Sequence, residues 1–302
     1  MLALICAPSN LGLRPPQPGS VPGTAKAPEA LREAGLHARL AALGAIDAGV
    51  VLPGRYADDA RAGVARSRNQ DAILDHARRL GARIREQLAR GTTPLVLGGD
   101  CSLLIGAGLA LSSLGRYGLV HLDGHTDFRH PGNSPECYSL AGEDLAAAVG
   151  LHWPAIAGDG YFRPGDTVHA GCRADDEYLA EASRVIAQVI PATRIREAGP
   201  AAVAEAIRRT AGASHLDGYW LHLDVDILDP EFMPAVDSPD PGGLRPAELT
   251  ELLAALAPGA CGAEVTIFDP DLDPDGSYAA LLTGILAEGL SRLGQERVSR
   301  PA

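Results

Sequence analysis

The sequence predicts an α/β protein: one three-layer α/β/α domain with a mainly parallel sheet, spanning residues 1–302. Three observations carry this. Short apolar runs of strand length alternate with longer stretches of helical period. The short runs end in glycine, proline or aspartate, and no repeat or low-complexity linker divides the chain. Strands alternating with helices imply parallel pairing with helices on both faces.

The opening MLALICAP supplies a first strand at 3–7; it lacks a basic leader and runs into proline and glycine, unlike a signal peptide. Residues 11–26, rich in proline and glycine, form a long loop. Helical periodicity follows at 28–43 and 71–89, then a strand at 95–97 and a helix at 102–114. A strand at 119–122 leads into a second long loop at 129–142. Strand 167–170, helix 201–210, strand 220–223, helix 246–256, strand 264–268 and helix 277–293 complete the chain. The helix at 246 has a well-marked start, because Pro246 loses nothing in a first turn and Glu248 and Glu251 suit the dipole. Both long loops follow strands, where open α/β sheets bind their ligands.

Composition excludes several partners. A net charge of −12 argues against nucleic acid and anionic membrane, and arginine outnumbers the single lysine, Lys26. No apolar run approaches the ~20 residues a membrane-spanning helix needs. Five scattered cysteines, an odd number without disulfide-like spacing, fit a reducing cytoplasm.

Three segments place acidic or ligating side chains directly after an apolar run: Gly98-Gly99-Asp100-Cys101-Ser102, Asp123-Gly124-His125-Thr126-Asp127, and Asp224-Val225-Asp226-Ile227-Leu228-Asp229-Pro230. Asp123, His125 and Asp127 alternate, so in an extended chain they share one face; Asp224 and Asp226 repeat the pattern. A single D-x-D reads as a turn or cap. Several together repel one another and lose solvation unless a cation compensates them. One imidazole among carboxylates suits Mn²⁺ first, with Zn²⁺ or Fe²⁺ admitted by Cys101.

These three segments resemble the metal motifs of the arginase and agmatinase family of ureohydrolases. The likeness reaches the start of the chain, at Ala7-Pro8, the glycine-rich loop and Pro28-Glu29-Ala30-Leu31-Arg32, and the end, at residues 264–270. It implies a binuclear centre with one ion on Cys101, Asp123, Asp127 and Asp224. A second would lie on Asp123, His125, Asp224 and Asp226, with Asp123 and Asp224 bridging. It also implies hydrolysis of a C–N bond in a small guanidino substrate to urea or an analogue plus an amine. Asp127 would pass a proton to the leaving nitrogen, and assembly would be a homo-oligomer, trimer or hexamer.

The chain departs from that pattern at several positions. Cys101 replaces the family's usual histidine ligand, and reads equally as a ligand or as a small buried cysteine at a helix start. The proton-shuttle histidine is missing, with His130, Cys137, Tyr138 and Glu143 as candidates in its loop. Arg129 stands where an asparagine holds a substrate carboxylate, and can clamp one bidentately. Asp176 falls where an aspartate meets the substrate's amino group, or caps a helix. The guanidinium-binding glutamate is replaced by Ile267. Glu264, three residues earlier, reaches the site only through a strand bulge, or else orients a metal ligand. His121 and His222 read as satisfied core histidines, and Asp229 as structural.

The expected function is therefore a binuclear ureohydrolase acting on an arginine-like or hydroxyarginine-like compound. The alternatives are an agmatinase, a guanidino-acid or formimidoyl hydrolase, a deacetylase-like amide hydrolase, or a non-catalytic binding or regulatory relative.

Overall fold

A computed structural model describes residues 1–61 and 63–297. One sheet of eight strands organises them: β1 (Leu2–Ala7), β2 (Ile46–Val50), β3 (Thr93–Gly98), β4 (Gly118–Leu122), β5 (Thr167–Ala170), β6 (Gln188–Ile190), β7 (Tyr219–Asp224) and β8 (Gly262–Thr266). They lie in the order β2-β1-β3-β8-β7-β4-β5-β6, and every pairing is parallel. The four central strands, β3, β8, β7 and β4, are buried throughout. Helices cover both faces, which is why their strands read as continuous apolar runs.

The helix Gln70–Ala89 illustrates the packing. Ile73, Ala77, Leu80 and Ile84 recur at helical spacing and are buried, each worth up to ~1.5–3 kcal/mol for the larger side chains. Contact with the helix Leu104–Ser112 is close because both carry glycine at the crossing. A Cβ on Gly81 would stand 2.9 Å from the Gly106 carbonyl oxygen.

Several boundaries differ from expectation for identifiable reasons. The periodicity over 28–43 is interrupted at Gly35, whose φ of 92° ends one helix (Ala27–Glu33) before the next (Leu36–Ala42). The edge strands β2 and β6 carry no apolar run, since β2 is largely exposed and β6 only half-buried. The last strand runs two residues earlier than its apolar pattern suggests. Ile267 leaves the extended conformation at φ 73°, and its N–H donates to the Gly99 carbonyl at 2.6 Å.

Gly99 fixes the first loop against the sheet. A Cβ there would lie 1.6 Å from the Ser9 carbonyl oxygen, closer than any backbone adjustment within the loop can absorb. Gly99→Ala is expected to lower the stability of the chain by about 3 kcal/mol, the upper range for overpacking. An unchanged urea midpoint would refute this.

Candidate metal centre

The three motifs follow the carboxyl ends of three central strands, β3, β7 and β4, with β8 between β3 and β7. The chain folds locally there because each motif closes on itself. Asp100 accepts from the Ser102 N–H at 2.9 Å, Asp123 from the His125 N–H at 2.6 Å, and Asp224 from the Asp226 N–H at 2.8 Å. A short carboxylate bonded two residues on holds the turn without a regular element. Turn and ligand are compatible roles of one residue: at Asp123 one carboxyl oxygen shapes the backbone and the other has no hydrogen-bond partner, while the second oxygen of Asp224 meets the Cys101 thiol and that of Asp100 the Ser9 hydroxyl.

This alters the expected geometry. β4 stops at Leu122 and β7 at Asp224, so alternation along a strand does not align the ligating residues. Asp123–Asp127 is a loop in which Asp127 takes φ 45°, and Asp226 sits in a one-turn 3-10 helix. Cross-bonds bring the segments together: Asp226 accepts from the Gly124 N–H at 2.9 Å and pairs with His125 Nδ1 at 2.8 Å. Cys101 Sγ lies 2.9 Å from Asp224 Oδ2 and 3.1 Å from Thr266 Oγ1. Cys101, Asp123 and Asp127 form one potential ligand group, and Asp123, His125 and Asp226 another.

Buried carboxyl groups dominate the electrostatics. Burial, reinforced by neighbouring carboxylates, pushes Asp123, Asp127 and Asp224 well above the ordinary carboxylate range. Burial also raises the Cys101 thiol, with Asp224 adding to it. At Asp226 burial acts upward too, but the charge and hydrogen bond of His125 prevail and bring it down to about 2. His125, although partly desolvated, is raised to about 10 by Asp226. The Oδ2 of Asp123 is buried with no hydrogen-bond partner. Oxygen-rich, nitrogen-containing and short of positive charge, the set suits divalent cations.

A cleft of about 390 Å³ opens over the centre, lined by His125, Asp127, Asp224 and Asp226 on its floor and by Arg129, Asp176 and Ile267 on its walls. Arg129 Nε lies 3.4 Å from Glu143 Oε1. Asp176 accepts from the Thr126 N–H at 2.9 Å, the Thr126 hydroxyl at 2.6 Å and the Tyr178 N–H at 2.9 Å, so its carboxylate braces the Asp123–Asp127 loop while facing the cleft. Asp229 accepts from the Gly242 and Gly243 N–H groups, a structural use.

Glu264 requires a correction as a catalytic or guanidinium-binding residue. β8 pairs regularly with β7 through this position, no bulge turns it outward, and the side chain is fully buried with Oε1 2.9 Å from His222 Nδ1. Ile267 takes the wall position instead. None of the four shuttle candidates lines the cleft. His130 pairs with Glu181 at 3.1 Å, Cys137 faces the Ser134 carbonyl, Tyr138 accepts from the Gly63 N–H, and Glu143 bonds His152 at 2.9 Å.

His121 and His222 also differ from expectation. Both are buried, but the Nε2 atom of each lacks a hydrogen-bond partner, as do both carboxyl oxygens of Asp144 beside them. Period-two spacing from Asp123 and Asp224 signals the two histidines. Asp144 gives no such signal, since in sequence it is an acidic residue in a helix's first turn.

The chain is similar in sequence and fold to known proteins. An arginase from Bacillus caldovelox is 30% identical over 276 residues, covering 87% of this chain and 91% of that protein. A guanidinopropionase from Pseudomonas aeruginosa is 29% identical over 231 residues, covering 74% of this chain and 68% of its own length. The solved native structure of the Bacillus caldovelox arginase superposes with a TM-score of 0.84 at 28% identity, over 96% of this chain and 97% of that one. Residues 3–290 match the sequence profile of the Arginase family, and the chain belongs to that family.

Proposed function

We propose that this protein hydrolyses the C–N bond of a small guanidino compound at a two-metal centre, releasing urea or a urea analogue and an amine. Its family makes it a hydrolase acting on C–N bonds in linear amidines. The observation that carries the metal reading is the convergence of Asp123, His125, Asp127, Asp224 and Asp226, with Cys101 beside them, at the strand ends beneath one cleft. By resemblance, Cys101, Asp123, Asp127 and Asp224 hold one ion and Asp123, His125, Asp224 and Asp226 the other, with Mn²⁺ preferred and Zn²⁺ or Fe²⁺ favoured in proportion as Cys101 takes part.

When bound, such a pair acidifies water and stabilises charge developing at the attacked carbon. The chain's own residues supply the rest. Asp127 lines the cleft at positive φ, which supports its reading as the group that would take the proton of the attacking water and hand it to the departing nitrogen. Glu143 lies against Arg129 and steadies its guanidinium at the cleft wall, where it pairs with a substrate carboxylate. That favours substrates with an acidic end, arginine-like, hydroxyarginine-like or guanidino acids, over agmatine. Asp176 holds the ligand-bearing loop and presents its charge to a substrate amino group. No helix among the described residues is long and apolar enough to cross a membrane; we assign the protein to the cytoplasm, as a homo-oligomer, trimer or hexamer.

The test is release of urea or amine from arginine, hydroxyarginine, agmatine, guanidino acids and a formimidoyl compound, with Mn²⁺, Zn²⁺ or Fe²⁺ supplied in turn. Turnover strongest on a substrate carrying a carboxylate supports the reading. Metal bound in stoichiometric amount with no turnover on any member of the panel overturns it.

A further inference from the structure

Directly beneath the motifs a row of ionisable side chains crosses the sheet. His121 on β4 is paired in register with His169 on β5 and with His222 on β7, and His222 in turn with Glu264 on β8. All four are fully buried. The rings of His121 and His222 stack, with centroids 4.6 Å apart and planes 9° from parallel. Each is anchored at its outer nitrogen: His121 Nδ1 shares a hydrogen bond with His169 Nδ1 at 3.0 Å, and His222 Nδ1 bonds Glu264 at 2.9 Å. That anchoring aims both Nε2 atoms toward Asp144, which is buried at the start of its helix.

What they meet there is not a hydrogen-bond network. His121 Nε2, His222 Nε2, both carboxyl oxygens of Asp144 and Asp123 Oδ2 all lack partners. Their separations are 3.4 Å from His121 Nε2 to Asp144, 3.7 Å from His222 Nε2 to Asp144, and 3.8 Å from His121 Nε2 to Asp123 Oδ2. Two ligands each ~2.1 Å from one ion at a tetrahedral angle stand ~3.4 Å apart. The outer anchors have the form that metal-bound histidines use, with the far ring nitrogen held by a carboxylate or another polar group. The ligand atoms of these residues fall into two groups that share His222, His121 with Asp123 and His222, and Asp144 with His222 and Cys101, each within 4.8 Å, and orphaned buried groups so arranged call for an explanation such as a bound ion.

We propose that His121, His222 and Asp144, together with Asp123 Oδ2, hold the inner ion of the metal centre, in the role that resemblance gives to Cys101. Cys101 stays a hydrogen-bonded thiol between Asp224 and Thr266. The inference rests on the reading of a metal centre at these strand ends and changes only which side chains hold its inner ion. Two imidazoles and carboxylates suit Zn²⁺ or Fe²⁺ better than Mn²⁺.

The purified full chain, stripped of metal and saturated with Zn²⁺, tests this by X-ray absorption at the zinc edge, which counts imidazole ligands. His125 is the sole histidine in the six-residue set implied by resemblance, giving about 0.5 imidazole per ion for two ions; the inner site raises the average to about 1.5. In addition, His222→Gln is expected to weaken one of the two ions at least ~100-fold in competition with a chelating dye, and Glu264→Gln, which keeps the volume and removes the anchor's charge, about 10- to 100-fold. An average near 0.5 in the wild-type chain, or variants that hold both ions as tightly as wild type, overturns the inner site. The wild-type count stands even if the variants fail to fold. Turnover of guanidino compounds with an average near 0.5 removes the inner site and leaves the hydrolase. An average near 1.5 without turnover does the reverse.

Discussion

Asp224→Asn is expected to reduce kcat/KM by about 10³-fold or more and to release at least one metal ion per chain. In the ligand set implied by resemblance Asp224 would hold both ions, and with the inner ion on the buried histidines it would still hold the outer one, so its loss should remove several kcal/mol of transition-state stabilisation at ~1.4 kcal/mol per tenfold. The substitution keeps the turn, because an amide oxygen still accepts the Asp226 N–H. It also removes a carboxyl group whose ionised form is penalised by burial and by Asp226 when no metal is bound. Metal-free Asp224→Asn should therefore melt at or above the temperature of metal-free wild type, while wild type becomes the more stable of the two on adding metal. Calorimetry with and without chelator separates this from simple misfolding. A variant less stable than wild type in both states would contradict it.

Removing metal should also reverse the pH dependence of stability. Asp123, Asp127 and Asp224 are raised by burial and mutual repulsion, and burial brings Asp144 up to about 7. A folded pKa above the unfolded value gives stability that is complete below about 4 and lost as pH climbs through the folded pKa. His125, raised to about 10, acts in the same direction from about 6.5 upward. Asp226 opposes them, but its contribution is already complete above about 4 and fails only as pH falls toward 2. Burial holds His121 and His169 well below the usual histidine range, which opposes the trend only up to about pH 6.5, so the chelated protein should lose stability from about pH 7 to pH 9. The metal-loaded protein should gain over the same range, because ionised ligands bind better and binding releases protons. Melting curves at pH 5, 7 and 9 decide it. A chelated protein that grows more stable toward pH 9 would exclude the uncompensated-carboxylate picture.

Much of the architecture is legible in the sequence because the central strands are buried on both faces and end in chemically marked turns. The runs before Gly98, Asp123 and Asp224 carry both signals at once. β2 and β6 are not legible, since edge strands need no apolar face. The ligand cluster is readable from residue type and spacing, though its alignment comes from carboxylate-closed turns and not from strand alternation. The core position of Glu264 is not legible in sequence, because β8 ends at Thr266 and the chain turns at positive φ at Ile267 with no glycine there to announce the break. Asp144 is invisible in sequence because only tertiary packing carries a helix-start carboxylate under the sheet end.

The strand order has a consequence for how the molecule comes into being on the ribosome. β3 and β4 belong to the first half of the chain, yet they are not neighbours: β8 and β7, made last, are wedged between them. A nascent chain that has reached only residue 218 holds Cys101 and Asp123 but lacks the two strands that join their parts of the sheet. Metal capture at these strand ends would thus be a closing step of biosynthesis. An unfinished or C-terminally truncated chain has no assembled centre with which to sequester a cation or start uncontrolled hydrolysis.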